Sequence, residues 1–276
     1  ESLFQSWIFA FLAPFLQTQG MAQGIFFDAV TMAPRFGDPA FRHGLRLFKE
    51  MVALSSHTVD GPLSFRDPVL SERFLRGGCA LYYNFVGPAK ELMGMAGKVK
   101  PHLFPFEMPG SKQVHNYMTG RLDACTEAVC PFQDEHGVNR APLYAMGGIC
   151  FAVSEQDRDE SVEDVAFRLA VAIANVENSF ELVLRPETMM DPFRYSHFKD
   201  LDDRWSPASQ GWAAQGWSRD QLLQFRDVVY RSFEHKNGVK DLSIYGTGDR
   251  SDLDARTALI PVPKKAPTDQ CAPVQL

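Results

Sequence analysis

Between Ala145 and Leu184 the apolar positions change period. Ala145–Val153 is a short unbroken apolar run with Gly147-Gly148 near its start, which predicts a buried strand. An acidic loop follows. Val162, Val165, Leu169, Ile173, Val176, Phe180 and Val183 then recur three or four residues apart, which predicts one long helix with a single apolar face. Ser161, with Asp164 three residues on, supplies a hydroxyl to cap its first turn. The glycine pair reads in two ways: a bend or close packing contact, or bare amides that a ligand can reach because no Cβ intervenes.

The same patterning marks the rest of the chain. Leu3–Leu16 is strongly apolar but shorter than the ~18 residues a membrane span needs, so a buried core helix is expected. Phe41, Leu45, Phe48 and Val52 predict a helix starting near Pro39. A helix ends at Gly77-Gly78, and Cys79–Val86 reads as a strand. Prolines 105 and 109 keep His102–Pro109 extended. Gly110–Pro142 reads as a long polar loop, either an insertion or a functional element. Trp205, Trp212 and Trp217 fall in a Gly/Ser/Gln-rich connection, after which Ser218 and Gln221 cap a helix faced by Leu222, Phe225, Val229 and Phe233. The Pro/Lys-rich tail from Pro261 is expected to be disordered.

Composition narrows the functional classes. With 45% hydrophobic and 22% charged residues, 276 residues suffice for a substantial core. A net charge of -6 and the lack of a dense Lys/Arg block argue against nucleic acid as a partner. The chain begins at Glu1 without a basic leader, and a natural N-terminus upstream is expected. Of the five cysteines, Cys79 and Cys150 sit in apolar runs as small buried hydrophobes. Cys125 and Cys130 are close enough for a local disulfide in an oxidising compartment, with free thiols the other reading. Zinc, with His115 and His136 nearby, ranks below both because a second tight ligand pair is missing.

No nucleophile elbow, phosphate-cradling loop, dinucleotide fingerprint or zinc-protease motif occurs, and no pair of carboxylates stands out as a glycosidase acid and base. No enzymatic activity, cofactor or metal is therefore expected. Among the aromatics in loops and at strand ends, Tyr83 with Asn84, just before Gly87-Pro88, forms the best site candidate: a ring to stack on a sugar face and an amide to bind its hydroxyls.

Five phrases in order carry a family resemblance. They are Phe74-Leu75-Arg76-Gly77-Gly78-Cys79-Ala80-Leu81, the strand end Tyr82–Pro88, the proline-bearing Leu103–Pro109, Gly147–Ser154, and Pro192-Phe193-Arg194-Tyr195-Ser196. Across residues 1–260 this order resembles the extracellular solute-binding proteins of ABC transporters, the carbohydrate-type group that includes maltose-binding protein. The resemblance implies an α/β, two-lobed periplasmic-binding-protein-like fold of type II with an incomplete N-terminal lobe. Residues 1–105 would contribute to lobe II (the C-terminal lobe). Residues 106–190 would form part of lobe I, with 111–142 inserted, and 191–260 would return to lobe II before the tail 261–276. The chain would cross between lobes near Pro105–Gly110 and near Met190–Arg194.

It also implies capture of a solute, a carbohydrate first, by hinge closure, with delivery to an ABC permease. The alternative is the ligand-binding ectodomain of a membrane sensor, covalently linked to a signalling domain. Either role places the chain outside the cell or in the periplasm, with a membrane tether as an option. Tyr83 would stack, Asn84 would bind hydroxyls, Gly147 and Gly148 would offer amides from the opposite lobe, and Arg194 and Ser196 would follow near the second crossing. A salt bridge to Asp191 is the competing role for Arg194. The family's tryptophan near the strand-end glycine-proline is absent.

Overall fold

The computed structural model describes residues 2–20, 23, 25–28, 31, 33–54, 68–83, 87, 90, 92–93, 102–144, 153, 160–188 and 190–240. Asn84, Gly147, Gly148, Cys150, Cys271 and the tail lie outside them. Two apolar cores organise the described residues.

The first core is built on α1 (Ser2–Leu16) and α2 (Pro39–Leu54). Leu12, Ala13 and Leu16 are fully buried, with Phe15, Ile25, Ala40, Ala141 and Val239 around them. The helices cross at Gly44, where a Cβ would lie 2.6 Å from Leu12 Cδ2 and 3.0 Å from Phe15 Cδ2. No helix among the described residues is long and apolar enough to cross a membrane.

Gly110–Pro142 is not a continuous loop. It holds a hairpin, β1 (Gln113–Asn116) paired antiparallel with β2 (Arg121–Ala124) in the register Gln113↔Ala124. Gly120 closes the turn at φ +65°, a conformation glycine adopts freely. Only Val114 of β1 is a fully buried aliphatic side chain and Leu122 of β2 the one other aliphatic packed on the core, too few apolar positions for an alternation to show. A two-residue parallel pair, β3 (Leu143–Tyr144) with β4 (Val239–Lys240), ties this region to the far end of the described chain.

A polar knot seals the C-terminal end of α1. Helix ends leave carbonyls without intrahelical donors. Asn139 Nδ2 donates to Pro14 O and Gln17 O, both at 2.7 Å, and Tyr117 Oη donates to Leu16 O at 2.9 Å. Asn237 Nδ2 donates to Gln17 O at 2.7 Å and to Asn139 Oδ1 and Arg140 O at 3.0 Å, while its Oδ1 accepts from Gly20 N at 2.9 Å. Gln17, Asn139 and Asn237 are all fully buried.

After α4 (Glu160–Ala174), which contributes none of its described side chains to the core, the second core gathers α5 (Val176–Leu184), α6 (Pro207–Ala214), α7 (Arg219–Phe233) and the 3-10 turn Tyr195–Phe198, with α3 (Pro68–Leu75) beside it in a small cluster of Phe74, Leu75 and Leu92. Trp212 is its centre. The ring is fully buried, stacks on Phe198 at 5.7 Å, and meets Trp217 and Phe225 edge-on at 5.7 Å each. Its indole N–H donates to His197 O at 2.9 Å. Ser218 and Gln221 form the capping box of α7, and Leu222, Phe225 and Val229 are buried, although Phe233 at the end of that face is half exposed.

The long helix expected from Ser161 onward is two helices. Asn175 takes an extended conformation and its side chain accepts the amide of Asn178 at 2.7 Å, starting α5 anew. The apolar face splits with it. Val183 is fully buried and Phe180 packs on the core, but Val162, Val165 and Leu169 on α4 are 48%, 64% and 60% exposed. The described part of the expected strand, 79–83, runs as irregular backbone.

Two outcomes test these cores. Asn237→Ala strips four hydrogen bonds from the knot and leaves buried partners unsatisfied, at a cost of about 3 kcal/mol. The urea midpoint should fall at an unchanged denaturant slope. A loss below about 1 kcal/mol would show the knot to be dispensable.

His197 supplies the second test. It is fully buried, and burial, with Arg194 and Lys90 adding to it, holds its imidazole down at about 4 against an ordinary 6.5. The native state therefore binds fewer protons than the unfolded chain between those values, so stability is complete above pH 6.5 and lost as pH falls toward 4. That difference amounts to about 3 kcal/mol. His197→Leu should flatten this limb of the stability-pH curve, and an unchanged limb would remove His197 as its cause.

Candidate functional site

The chain passes between the two cores in the stretch 103–111. Leu103 packs on the second core, and its carbonyl accepts from Gln221 Nε2 at 2.9 Å. Pro105 O accepts from Gln224 Nε2 at 2.8 Å. Glu107 pairs with Arg231 at 3.2 Å, the last tie to α7. Met108 O then accepts from Arg140 Nη1 at 3.1 Å, and Ser111 exchanges backbone hydrogen bonds of 2.8 Å with Asn139, inside the knot. Gly110 lies so close that a Cβ would sit 2.4 Å from Asn139 O, so the passage requires glycine there. A second passage follows the end of α7, from Glu234 to Asn237 and β4.

Between these passages lies a cleft of about 480 Å³. Glu107 comes from the first passage, Phe132, Asp134 and Arg140 from the chain after the hairpin, and Arg231, Glu234, His235 and Lys236 from the end of α7. The loop wall is fixed at its base. Cys125 and Cys130 are joined in a disulfide, both buried, so zinc has no thiolate pair to bind here. His115 is buried with its Nε2 3.7 Å from Asp38, and His136 is exposed beside Glu135.

Local electrostatics set the state of each group. Burial works to raise Asp134, but the amides of Val138 and His136 and the Arg140 guanidinium outweigh it and hold the carboxyl below its usual range. Those contacts are Oδ1 to His136 N at 2.9 Å and to Val138 N at 3.0 Å, and Oδ2 to Arg140 Nε at 3.4 Å. Burial, helped by Arg140, pulls His235 below the ordinary imidazole value against Glu107 and Asp134. Its Nδ1 accepts the amide of Asn237 at 3.1 Å, which assigns the neutral ring's proton to Nε2. Glu234 Oε1 accepts the Tyr195 hydroxyl at 2.8 Å.

The residues marked by the sequence sit elsewhere. Tyr83 ends the 79–83 segment, and burial pushes its phenol above the ordinary value. Neighbouring Tyr82 stacks on Phe74 at 5.3 Å. Arg194 Nη2 donates to Ala174 O at 2.5 Å and its guanidinium lies 5.4 Å from the Phe193 ring centre. Asp191 faces Lys90 instead. Arg194 lines a hollow of about 30 Å³ that touches the cleft at Glu234, and Ser196 lies in the adjacent 3-10 turn. Met190–Arg194 lies among residues of the second core, with Met190 packed on it directly.

Lys90 links the two regions that carry Tyr83 and Arg194. It is 1% exposed, and its Nζ donates to Val183 O at 2.7 Å and to Met190 O. Burial lowers its ammonium to about 8, opposed by Asp191 and Glu187, and burial raises Asp191 to about 6, opposed by Lys90 and the Gly87 amide. Each charge therefore favours the ionised form of the other, while the Lys90 ammonium makes its hydrogen bonds to the two carbonyls.

None of the cleft's charged residues falls in a local motif. They come from three distant segments, and each is by itself an ordinary polar-face or loop residue. Among the described residues no group of three or more His, Cys, Asp or Glu could hold a metal ion. Compared with known proteins, the chain matches no family model, no curated protein and no solved structure.

Proposed function

We propose that this chain captures a small polar solute, a carbohydrate in the first instance, by closure between two units, and hands it to an ABC permease outside the cytoplasm. The observation that supports this reading best is the passage of the chain between two separate cores, at 103–111 and 234–239 among the described residues, with an open cleft at their junction. Hinges of this kind are a few backbone residues that absorb rotation while the cores stay rigid. A solute that binds the closed form better shifts its population by that difference in affinity. The disulfide Cys125–Cys130 fits an oxidising, extracytoplasmic compartment.

The contacts follow from the resemblance: Tyr83 stacks on the sugar ring, Asn84 binds its hydroxyls, and Gly147 and Gly148 donate amides. Arg194 and Ser196 complete the set that the resemblance implies, just after Met190, whose carbonyl accepts from Lys90 Nζ. Arg194 keeps part of its guanidinium for Ala174, so it contributes at most its remaining donors.

A thermal-shift screen of maltose, glucose, polyols and oligosaccharides tests the proposal. Ligand at a hundred times Kd adds about 2.7 kcal/mol, so a saturable rise in Tm with one sugar class is expected. Tyr83→Ala and Asn84→Ala should each weaken that binding about tenfold, the scale of one lost stacking or hydrogen-bonding contact. Unchanged affinity in Asn84→Ala removes that residue from the site. A flat response to every sugar from folded protein overturns the carbohydrate reading.

A further inference from the structure

Helix α2 presents a face that the first core leaves uncovered. Gly44 and Phe48 turn inward, the one against Leu12 and Phe15, the other against Phe11. On the opposite side Arg42, Leu45, Arg46 and Lys49 recur three or four residues apart, and all four are exposed. Arg42 Nε donates to Gly37 O at 2.9 Å and Arg46 Nη2 to His43 Nδ1 at 3.0 Å, both uncharged acceptors. The helix carries one carboxylate, Glu50, exposed at the edge of this face. Three cations to one acid reverse the balance of the whole chain, in which 34 acids exceed 28 Lys and Arg. Large apolar side chains border these cations: Leu45 is 42%, Phe36 50% and Phe27 44% exposed. Phe36 meets Phe41 at 5.4 Å and Phe27 at 6.0 Å, and Gly37, the next residue, holds Arg42. Rings and cations thus form one continuous surface at the start of α2. The acids beside it are engaged: Asp38 pairs with Arg35 at 3.1 Å, and Asp28 accepts the amide and hydroxyl of Thr31 at 2.7 and 2.8 Å.

We propose that this face of α2, with Phe27 and Phe36 at its edge, docks on an anionic lipid surface. Arg42, Arg46 and Lys49 span about 10 Å along the helix and lie among the headgroups, while Phe27, Phe36 and Leu45 enter the boundary of the acyl chains. A purely acidic partner answers the cations but leaves the rings and Leu45 in water. A helix face is also convex, so it offers no groove for an extended acidic peptide, whereas a headgroup layer conforms to it. The chain as a whole, with a net charge of -6, is repelled by such a surface, which selects orientations that bring α2 to the membrane. The proposal does not rest on the sugar reading, since it needs neither cleft nor solute.

The test is flotation of the whole chain with vesicles of phosphatidylcholine alone and with vesicles that also hold phosphatidylserine, at roughly three to one. The chain should float with the anionic vesicles and not with the neutral ones, and binding should weaken as salt is raised. Replacing both Arg46→Gln and Lys49→Gln should weaken it about thirtyfold, the scale of two cations lost near an anionic surface. Phe36→Ala should weaken it about tenfold through lost apolar contact. Arg46, Lys49 and Leu45 are exposed, so Leu45→Gln replaces Phe36→Ala should the latter disturb the packing on Phe41. No binding to either vesicle, equal binding to both, or insensitivity to the double charge variant with retained helical signal would each overturn the proposal. Tighter binding to polyglutamate than to the anionic vesicles would assign the face to an acidic protein and overturn the lipid reading.

Discussion

The C-terminal end of α1 is the constraint on which the first core depends. A helix that ends inside a protein must find donors for its last carbonyls, and water is not available there. Three side chains from distant parts of the chain, Tyr117, Asn139 and Asn237, supply them. In doing so they fix where the hairpin, the first passage and the second passage meet. Because Asn139 and Asn237 are also bonded to each other, neither donor can be moved without disturbing the other. The parallel pair of β3 and β4 adds only two residues of ladder, so the side-chain bonds rather than the sheet hold these segments together.

The second core is held in the opposite way, by apolar rings. Trp212 satisfies its one polar atom on His197 O and devotes the remaining surface to Phe198, Trp217 and Phe225. The 3-10 turn that carries His197 and Phe198 is thereby locked onto α6 and α7. Lys90, held by Val183 O and Met190 O, adds a buried cation whose charge opposes the effect of burial on Asp191. One core is specified by hydrogen bonds to a helix end and the other by ring packing.

What the sequence could reveal follows the range of the interactions. The helix at Ser218 was legible because a capping box and a 3.6-residue stripe are local, and both are present. The start at Pro39 was legible for the same reason. The interruption at Asn175 was not, because the stripe from Val162 to Val183 runs through it unchanged and one side chain, bonded three residues on, decides it. The hairpin at Gln113–Ala124 was hidden since each four-residue strand carries a single core-facing aliphatic, Val114 and Leu122, too short a pattern to read as alternation. The tryptophans read as a connection because their partners lie in α5, α7 and the 3-10 turn. The cleft is the extreme case: each of its charges is unremarkable in its own segment, and only the meeting of the passages makes them one surface.

That placement has a physical consequence for any closure between the cores. Arg231 and Glu107 bind across the first passage from the second-core side, and Arg140 binds Met108 O from the first-core side. The passage backbone is thus gripped from both ends, and the residues between Glu107 and Gly110 are left to absorb a rotation. Pro109 fixes its own φ there, and the space at Gly110 is closed by Asn139 O. At this first passage only a very short stretch of backbone could absorb a rotation, and the charged side chains of the cleft are attached on both sides of it.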